Sequence, residues 1–452
     1  MNPATKTSLF LCSLTLGFSD LVYGATSSDG KTAAEYVVSV FPDRPEAVYH
    51  QGETVTFNIE LQHNKAPITE TVDWVITKDE VSLGKKGTLT LTADGKAAVT
   101  GTLAEPGILH CTVTFKNGKT AFTAIAGAAI DPEQIKPSLP VPADFDAFWA
   151  EKKKLLAAAP ANFKLTPVPP PPTRKGAETF EFYADTIGDP VIGTLSAPAT
   201  GYYSRPTGAK PKSLPAILML PGAGVRSANL DSAAGWAAAG LLYLDLNIHG
   251  TPNGKTAAEY AALDTGVLKN YRKAGMESRD SYYFLGAYYR VLRAIAFLTA
   301  QPEWDGRTLI MAGVSQGGGL ALVAAGLEPR TTLVIAYVPG LADRSGTLAG
   351  RIAGWPRVVP VGADGKSEPK ILEELRYFDS ANFATRIKAP AHLEVGFLDV
   401  ICPSTCGYVA YNNIPGKKTI KNHPDRGHDL GGQIWMEMRK MALDNQAAQA
   451  KP

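Results

Sequence analysis

The second half of the sequence contains a series of short, nearly continuous apolar runs, and helical patterns separate each run from the next. The runs are residues 216–220, 241–246, 308–314, 333–338, 392–396 and 418–422. Strands that are buried on both faces have this composition, because helices cover the two sides of a parallel sheet. The alternation therefore predicts an α/β fold built on a mainly parallel, doubly wound sheet.

The sequence also predicts where the main helices lie. Residues 145–158 follow an acidic, proline-containing entry, and the amphipathic run 282–299 has Asp280 or Ser281 as its expected N-cap. The stretch 167–172, PVPPPP, predicts a stiff segment without regular structure. Two β-rich segments follow it, at 179–185 and 190–197.

The N-terminal part of the chain has a different pattern, in which short alternating runs are separated by turn residues. The runs are 36–41, 54–61, 71–77, 88–92, 97–103, 108–115 and 120–125. So many short strands in about a hundred residues predict a β-sandwich. Trp74 and Cys111 are placed as in an immunoglobulin-like core, whereas Phe57 stands where a partner cysteine is expected. We therefore predict an immunoglobulin-like domain over 34–131 that lacks the usual disulfide, and an α/β domain over 132–447.

Residues 1–24 have the features of a signal peptide. Lys6 is the only basic residue among them, an apolar stretch covers 9–18, and Val22 and Gly24 suit the −3 and −1 positions of a cleavage site. The apolar stretch is too short to span a bilayer, and no later segment has the length of a membrane span. We therefore expect export to the periplasm or the extracellular space.

Charge and cysteine content limit the partners of the chain. The formal net charge is +2, and no basic patch or acidic tail suggests that the protein binds nucleic acid. Without the signal peptide, Cys111, Cys402 and Cys406 remain. Cys402 and Cys406 are close enough for a short disulfide in an oxidising compartment, and two free thiols are the alternative. No Cys or His cluster indicates a metal site.

A candidate nucleophile lies between an apolar run and a helical pattern. The motif Gly313-Val314-Ser315-Gln316-Gly317 follows the run 308–314 and precedes a helix-compatible stretch. A strand, a sharp turn and a helix form the setting of a nucleophile elbow. Such an elbow strains the serine backbone and brings the strand close to the helix, so Gly313 and Gly317 are needed to avoid a clash. Ser315 Oγ would stand at the helix N-terminus, where developing negative charge is favoured.

A serine nucleophile needs a base and an orienting acid. His428 lies in a turn-rich loop just after the last strand, and we prefer it to His423, which still belongs to the strand end. Asp399 ends the preceding strand run, and we prefer it to Asp379, which lies before that strand. The chain order Ser, Asp, His is the order found in α/β-hydrolases.

The oxyanion of an acyl-transfer reaction needs hydrogen-bond donors. The backbone N–H of Gln316, directly after the nucleophile, is the first candidate. The second is the backbone N–H of Ala223, in the loop after the run 216–220, where Gly222 permits a tight turn. His249 follows another strand and is a candidate for the pocket wall.

The elbow motif, with glutamine after the serine and Gly318 after the second glycine, resembles the acetyl xylan esterase and cephalosporin C deacetylase family, carbohydrate esterase family seven. Further resembling segments are 145–149 (FDAFW), 279–283 (RDSYY), 377–382, 387–390, 396–403 (GFLDVICP) and 410–418 (AYNNIPGKK). The family's triad positions fall on Ser315, Asp399 and His428. Three departures are Ala223 in place of a tyrosine, Ile248-His249-Gly250 in place of Arg-Gly-Gln, and Asp429 in place of glutamate.

The resemblance covers roughly residues 140–445 and implies a serine esterase that removes acetyl groups from xylan or xylo-oligosaccharides, without metal or cofactor. An acetylated oligosaccharide or polysaccharide is then the substrate, and a homo-oligomer is compatible with the family. Two alternatives are a peptidase or acyl-peptide hydrolase on the same fold, and a catalytically dead carbohydrate-binding protein. We expect the N-terminal β-sandwich to be dispensable for the chemistry, because no triad or oxyanion candidate lies in it.

Overall fold

The computed structural model describes residues 36–188 and 197–449. The predicted signal peptide and all but the last residue of the predicted β-rich segment 190–197 lie outside these described residues.

Residues 36–130 form strands in two sheets. The strands are β1 (Tyr36–Pro42), β2 (Val48–Tyr49), β3 (Val55–His63), β4 (Ala66–Pro67), β5 (Thr71–Lys78), β6 (Val81–Thr90), β7 (Lys96–Gly101), β8 (Gly107–Asn117) and β9 (Thr120–Ile130). One sheet holds β1, β3, β4 and β7, and the other has the order β2-β9-β8-β5-β6. Alternate residues of β3 are buried, and Phe57 and Cys111 share one apolar cluster, as the alternating pattern predicts.

Strand β6 begins earlier than the sequence pattern indicates. It pairs with β5 from Val81 onward, and only Asp79 and Glu80 separate the two strands. Both turn residues have positive φ, 47° and 65°, which is the geometry of a tight two-residue hairpin. The sequence pattern does not predict this hairpin, because the usual signal for such a turn is Asn-Gly or Asp-Gly and the chain has Asp79-Glu80 there.

The remainder of the described chain forms one large sheet flanked by helices. Its strands are β10 (Lys164–Val168), β11 (Ala177–Ala184), β12 (Ala199–Pro206), β13 (Leu214–Leu220), β14 (Leu242–Asn247), β15 (Trp304–Val314), β16 (Leu333–Tyr337), β17 (Ala391–Gly396) and β18 (Lys418–His423). Their order is β10-β11-β12-β14-β13-β15-β16-β17-β18. The strands from β14 to β18 pair in parallel, and β10, β11 and β12 add an antiparallel edge. The prediction of a mainly parallel sheet is confirmed.

The α-helices cover both faces of this sheet. They are α1 (Phe145–Ala158), α2 (Leu230–Ala238), α3 (Ala257–Thr265), α4 (Tyr283–Thr299), α5 (Gln316–Leu327), α6 (Pro369–Leu375), α7 (Ser380–Ala384), α8 (Ser404–Asn413) and α9 (Ile434–Gln449). One apolar cluster joins α1, α4, α5 and α8 to the sheet, and a second cluster joins α2 and α9 to the opposite face. No helix in the described part of the chain is both long and apolar enough to cross a membrane.

Two local predictions are wrong. The N-cap of α4 is Tyr282, which makes no side-chain cap bond, because Ser281 Oγ donates instead to the Gly275 carbonyl and Asp280 pairs with Lys152. The stretch 167–172 is not wholly irregular, since its first two residues end β10. Strand β10 lies at the sheet edge, where a proline without an N–H costs no ladder bond.

The strand order creates a crevice at one position of the sheet. The chain passes from β13 to β14 on one side, and β15 then pairs with β13 on the other side. Loops that follow such diverging parallel strands separate at the carboxyl edge and leave a binding crevice between them. The loops after β13 and β15 carry Ala223 and Ser315, so the topology brings the sequence candidates to this crevice.

Candidate active site

Ser315 occupies a strained turn between β15 and α5. Its φ and ψ are 63° and −125°, a conformation that L-residues rarely adopt. A Cβ atom at Gly313 would lie 2.3 Å from the Gly317 backbone, and one at Gly317 would lie 2.1 Å from the Leu220 carbonyl oxygen. Any side chain at either position would force the strand and helix apart. The two glycines are therefore required by the close approach that the sequence predicts.

Three side chains from separate loops form one hydrogen-bonded series at the carboxyl edge of the sheet. His428 Nε2 lies 2.9 Å from Ser315 Oγ, and His428 Nδ1 lies 2.7 Å from Asp399 Oδ2. The loops after β15, β17 and β18 supply the three residues. Parallel strands place these loops at the same sheet edge, so residues far apart in the chain meet there.

The Asp399 carboxylate is held by its own loop. Its second oxygen, Oδ1, accepts hydrogen bonds from the backbone N–H groups of Ile401 and Cys402, both at 2.8 Å. Asp399 is buried, whereas about a quarter of the His428 side chain is exposed. The acid is thus fixed, and the imidazole between it and the serine is partly accessible to solvent.

The rejected candidates have other partners in the structure. His423 Nε2 lies 2.6 Å from Glu394 Oε2 at the end of β18. Asp379 accepts backbone N–H bonds from Asp343, Arg344 and Ala381, and its burial raises its pKa to about 6. Neither residue contacts His428 in the described bonds.

The two backbone donors proposed for the oxyanion lie on adjoining elements. Gln316 is the first residue of α5, so its N–H has no acceptor within the helix. Ala223 lies in the loop directly after β13, and Arg226 Nη1 donates to its carbonyl oxygen at 2.6 Å. We refer to residues 221–224 as the oxyanion loop. An N-terminal helix turn beside a second backbone donor is a suitable environment for a developing negative charge.

His249 lies behind the oxyanion loop and is only 1% exposed. Its Nε2 is 3.1 Å from the Gly224 carbonyl oxygen, and its Nδ1 is 2.8 Å from the Tyr283 hydroxyl. Burial lowers the pKa of His249 to about 3, so the ring is neutral at ordinary pH. The neutral ring can donate from Nε2 to Gly224 and accept at Nδ1 from Tyr283. His249 therefore contacts the loop from inside and does not face an open pocket.

Sequence reasoning missed several residues around the serine. Gly340 N–H donates to the Ser315 carbonyl at 2.9 Å. A Cβ atom at Gly340 would lie 3.2 Å from the Trp355 ring and 3.4 Å from Cys402 Sγ. Gly340 and Trp355 come from a loop with no motif of its own, and only their tertiary placement identifies them. Cys402 and Cys406 are buried free thiols, so the structure has the unbridged alternative.

No group of His, Cys, Asp or Glu side chains within residues 36–188 and 197–449 could hold a metal ion. The candidate groups that the structure brings together are the Ser315 hydroxyl, the His428 imidazole and the Asp399 carboxylate. A hydroxyl next to a base is suited to acyl transfer, in which the serine attacks a carbonyl carbon.

A mainly parallel sheet with a serine elbow at its crevice defines an α/β-hydrolase-like protein. Residues 132–443 match the family model described as acetyl xylan esterase (AXE1). The acetyl esterase Axe7A of Xylanibacter ruminicola is 30% identical over 399 residues, which cover 87% of each chain. The chain belongs to the acetyl xylan esterase family and is a carboxylic-ester hydrolase.

Solved structures of acetyl xylan esterases share the fold. The enzyme from Paenibacillus sp. R4 superposes with a TM-score of 0.58 at 26% sequence identity. The superposition includes 70% of this chain and 98% of the Paenibacillus chain. Acetyl xylan esterase 1 from Thermoanaerobacterium sp. JW/SL YS485 also has a TM-score of 0.58, at 24% identity, and covers 70% of this chain and 97% of its own. The match to Axe7A is longer than the chain from residue 132 onward, so it extends into the N-terminal β-region.

Proposed function

We propose that this chain is an exported serine esterase that removes acetyl groups from xylan or xylo-oligosaccharides. The observation that carries the proposal is the hydrogen-bonded series from Ser315 through His428 to Asp399, with distances of 2.9 and 2.7 Å. The substrate class is supported by the names of the relatives, which are an acetyl esterase and acetyl xylan esterases.

The proposed reaction uses Ser315 as nucleophile and His428 as acid and base. Ser315 Oγ attacks the acetyl carbonyl carbon while His428 Nε2 takes the hydroxyl proton. The tetrahedral intermediate collapses when His428 returns the proton to the sugar oxygen, and the bond between that oxygen and the acetyl carbon breaks. Water then repeats the sequence on the acetyl-serine and releases acetate. Asp399 holds the imidazole in the required tautomer and stabilises its cationic form.

The backbone N–H groups of Gln316 and Ala223 are proposed to bind the oxyanion of both tetrahedral intermediates. Two contacts support the rigidity of the second donor: Arg226 holds the Ala223 carbonyl, and His249 holds the Gly224 carbonyl. Preorganised donors lower the barrier because they need no reorientation when the charge develops. His249 is then a positioning residue for the oxyanion loop.

Replacing His249 tests this support of the oxyanion loop. We expect His249→Leu to lower kcat by about 10-fold, since a loosened donor should cost less than the 100-fold or more that follows removal of one. His249→Gln should keep most of the activity, because the amide can still donate to Gly224. The measurement is kcat and KM for an aryl acetate, with thermal melting to verify folding. A His249→Leu enzyme with wild-type kcat would contradict the role.

The surroundings of the serine support a short acyl group. Trp355 and Cys402 lie close to Gly340, whose N–H binds the Ser315 carbonyl, and we propose that they limit the space for the acyl group. We expect kcat/KM for an aryl acetate to exceed that for the aryl butyrate by about 10-fold or more, since the butyrate has two additional methylenes and excluding each is worth about 1–3 kcal/mol. A preference for the longer ester would oppose the acetyl assignment.

The test of the natural substrate compares acetate release from acetylated xylo-oligosaccharides with cleavage of acyl-peptides. We expect the oligosaccharides to be deacetylated with the higher kcat/KM, and the Ser315→Ala protein serves as the blank in both assays. Faster cleavage of the acyl-peptide would replace the esterase proposal with the peptidase alternative.

We also propose the domain division and the export. The N-terminal sheets would form an immunoglobulin-like sandwich over 34–131, and 132–447 would form the catalytic domain. The sequence features of residues 1–24 support removal of a signal peptide. N-terminal sequencing of protein secreted by a producing cell should find a start at residue 25. Protein that stays inside the cell and begins at Met1 would refute the export.

A further inference from the structure

The hairpin between β5 and β6 reaches from the N-terminal sheets to the α/β part of the chain. Asp79 and Glu80 form its two-residue turn with φ of 47° and 65°. Glycine, asparagine or aspartate is favoured at such angles, so Glu80 is the strained residue of the pair. A strained turn that keeps two carboxylates suggests that their side chains are used.

Asp79 binds the α/β part at two points. Its Oδ1 accepts a hydrogen bond from Thr405 Oγ1, in the first turn of α8. Its backbone carbonyl accepts the Ile352 N–H at 3.2 Å. Thr405 lies six residues after Asp399, on the far side of the loop that carries this acid. We define the acid loop as residues 397–402. Through Thr405, the hairpin is thus attached to the segment that follows this loop.

His110 on β8 binds Phe397, the first residue of the acid loop. Its Nε2 lies 2.5 Å from the carbonyl oxygen of Phe397, and its Nδ1 pairs with Glu80 Oε1 at 2.7 Å. His110 and Phe397 are both buried. Burial opposes the charged form of His110, yet Glu80 and the Phe397 carbonyl outweigh it and raise its pKa. The ring is thus held between a hydrogen bond from Nε2 to the Phe397 carbonyl and a close contact of Nδ1 with Glu80 that lacks hydrogen-bond alignment.

Close backbone packing accompanies this bond. A Cβ atom at Gly127 on β9 would lie 2.8 Å from Phe397 Cβ and 2.9 Å from its carbonyl oxygen. Only a residue without a side chain permits this approach of β9 to the acid loop. The N-terminal sheets therefore contact Phe397 through both a hydrogen bond and direct packing.

In the α/β part, two backbone bonds hold the acid loop, and Arg357 Nη2 also donates to the Val400 and Ile401 carbonyls. Phe397 N–H donates to the His423 carbonyl, and Leu398 N–H donates to the Arg426 carbonyl. These two bonds tie the loop to β18 and to the loop of His428. The Phe397 carbonyl takes no part in these bonds and contacts His110 instead, so the N-terminal sheets add a support of their own.

We propose that Glu80 and His110 form a positioning device that fixes the acid loop, so that the Asp399 carboxylate keeps its place against His428. This proposal rests on the triad role given to Asp399 under the proposed function. It revises the expectation that the N-terminal β-region is dispensable for the chemistry. The region lies before residue 132, where the match to the esterase family model begins.

The test is a set of full-length variants assayed on an aryl acetate. We expect His110→Leu to lower kcat by about 10- to 100-fold with KM changed less than about twofold, because a displaced triad member slows the chemical step. His110→Gln, which keeps a donor for the Phe397 carbonyl, should recover most of the loss. His63→Leu is the matched control, since His63 stacks on Tyr36 within the N-terminal sheets, and it should leave kcat unchanged.

A double-mutant cycle with Asp399→Asn separates positioning from general damage. If His110 acts through Asp399, His110→Leu should change kcat by less than about twofold in the Asp399→Asn background. An equal fold-loss in both backgrounds, or a His110→Leu protein with wild-type kcat, would overturn the proposal. If His110→Leu fails to fold, Glu80→Ala takes its place in the same cycle, with a smaller loss expected and the same non-additivity required.

The cycle also distinguishes a failure of the triad assignment from a failure of the positioning proposal. Asp399→Asn alone should reduce kcat by about 10⁴-fold if the triad assignment is right. A mild effect of Asp399→Asn would refute the triad, whatever His110→Leu does. A severe loss of kcat in Asp399→Asn together with an unchanged kcat in His110→Leu would refute only the positioning role of Glu80 and His110.

Discussion

Ser315→Ala should abolish ester hydrolysis, with kcat reduced by about 10⁴-fold or more, because the substitution removes the atom that attacks the acetyl carbon. The fold should persist, since only a hydroxyl is lost and the backbone of the elbow is supported by Gly313 and Gly317. Steady-state kinetics on an aryl acetate, together with loss of labelling by a fluorophosphonate probe, measures the effect. Turnover near the wild-type rate would remove Ser315 from the mechanism.

Ser315→Gly is the matched control for the strain at the elbow. It should be as inactive as Ser315→Ala but more stable than it by about 1 kcal/mol, because glycine adopts a φ of 63° without the steric cost that alanine carries. Chemical denaturation of the two inactive proteins gives the difference. Equal stability would indicate that the elbow stores no strain at this residue.

His428→Ala should be about as damaging to kcat as Ser315→Ala, because the nucleophile and its base act as a unit. For the same reason, the Ser315→Ala/His428→Ala double variant should be no slower than either single variant. The free energy of unfolding should change little, since the His428 side chain is partly exposed. Kinetics and denaturation on the same preparations test both expectations.

His423→Ala should show the opposite behaviour and is the control for His428. His423 pairs with Glu394, whose burial disfavours its charge, but hydrogen bonds from His392 and His423 lower its pKa to about 2. Removing His423 should cost about 2 kcal/mol of stability and leave kcat within a few-fold of wild type. If His423→Ala abolishes activity and His428→Ala does not, the base has been misassigned.

The stability effect of His423→Ala should depend on pH in one direction. The folded-state pKa of Glu394 is about 2, below its ordinary value of 4.5, so its contribution to stability is present above pH 4.5 and is lost as the pH falls toward 2. The stability difference between wild type and His423→Ala should therefore shrink over that range. A difference that stays constant would mean that the ionised Glu394 is not what His423 stabilises.

The sequence by itself determined the local features of this protein. Apolar runs of strand length between helical patterns predicted the parallel sheet, because strands covered on both faces carry few polar residues. The two glycines of the elbow predicted the close packing at Ser315, since a Cβ atom at either position would lie 2.1–2.3 Å from neighbouring backbone atoms. Chain order and position after a strand were enough to propose His428 and Asp399.

Only the tertiary structure decided which residues support these groups. Nothing near His249 in the chain indicates that it binds the Gly224 carbonyl, and nothing near His110 indicates that it binds the Phe397 carbonyl, 287 residues away. Both contacts join a side chain to a backbone atom, which leaves no residue type at the accepting position to recognise in a sequence. Such bonds depend on how sheets and loops pack. The contacts around the site were therefore visible only in the structure, whereas the candidate triad was predicted from the sequence.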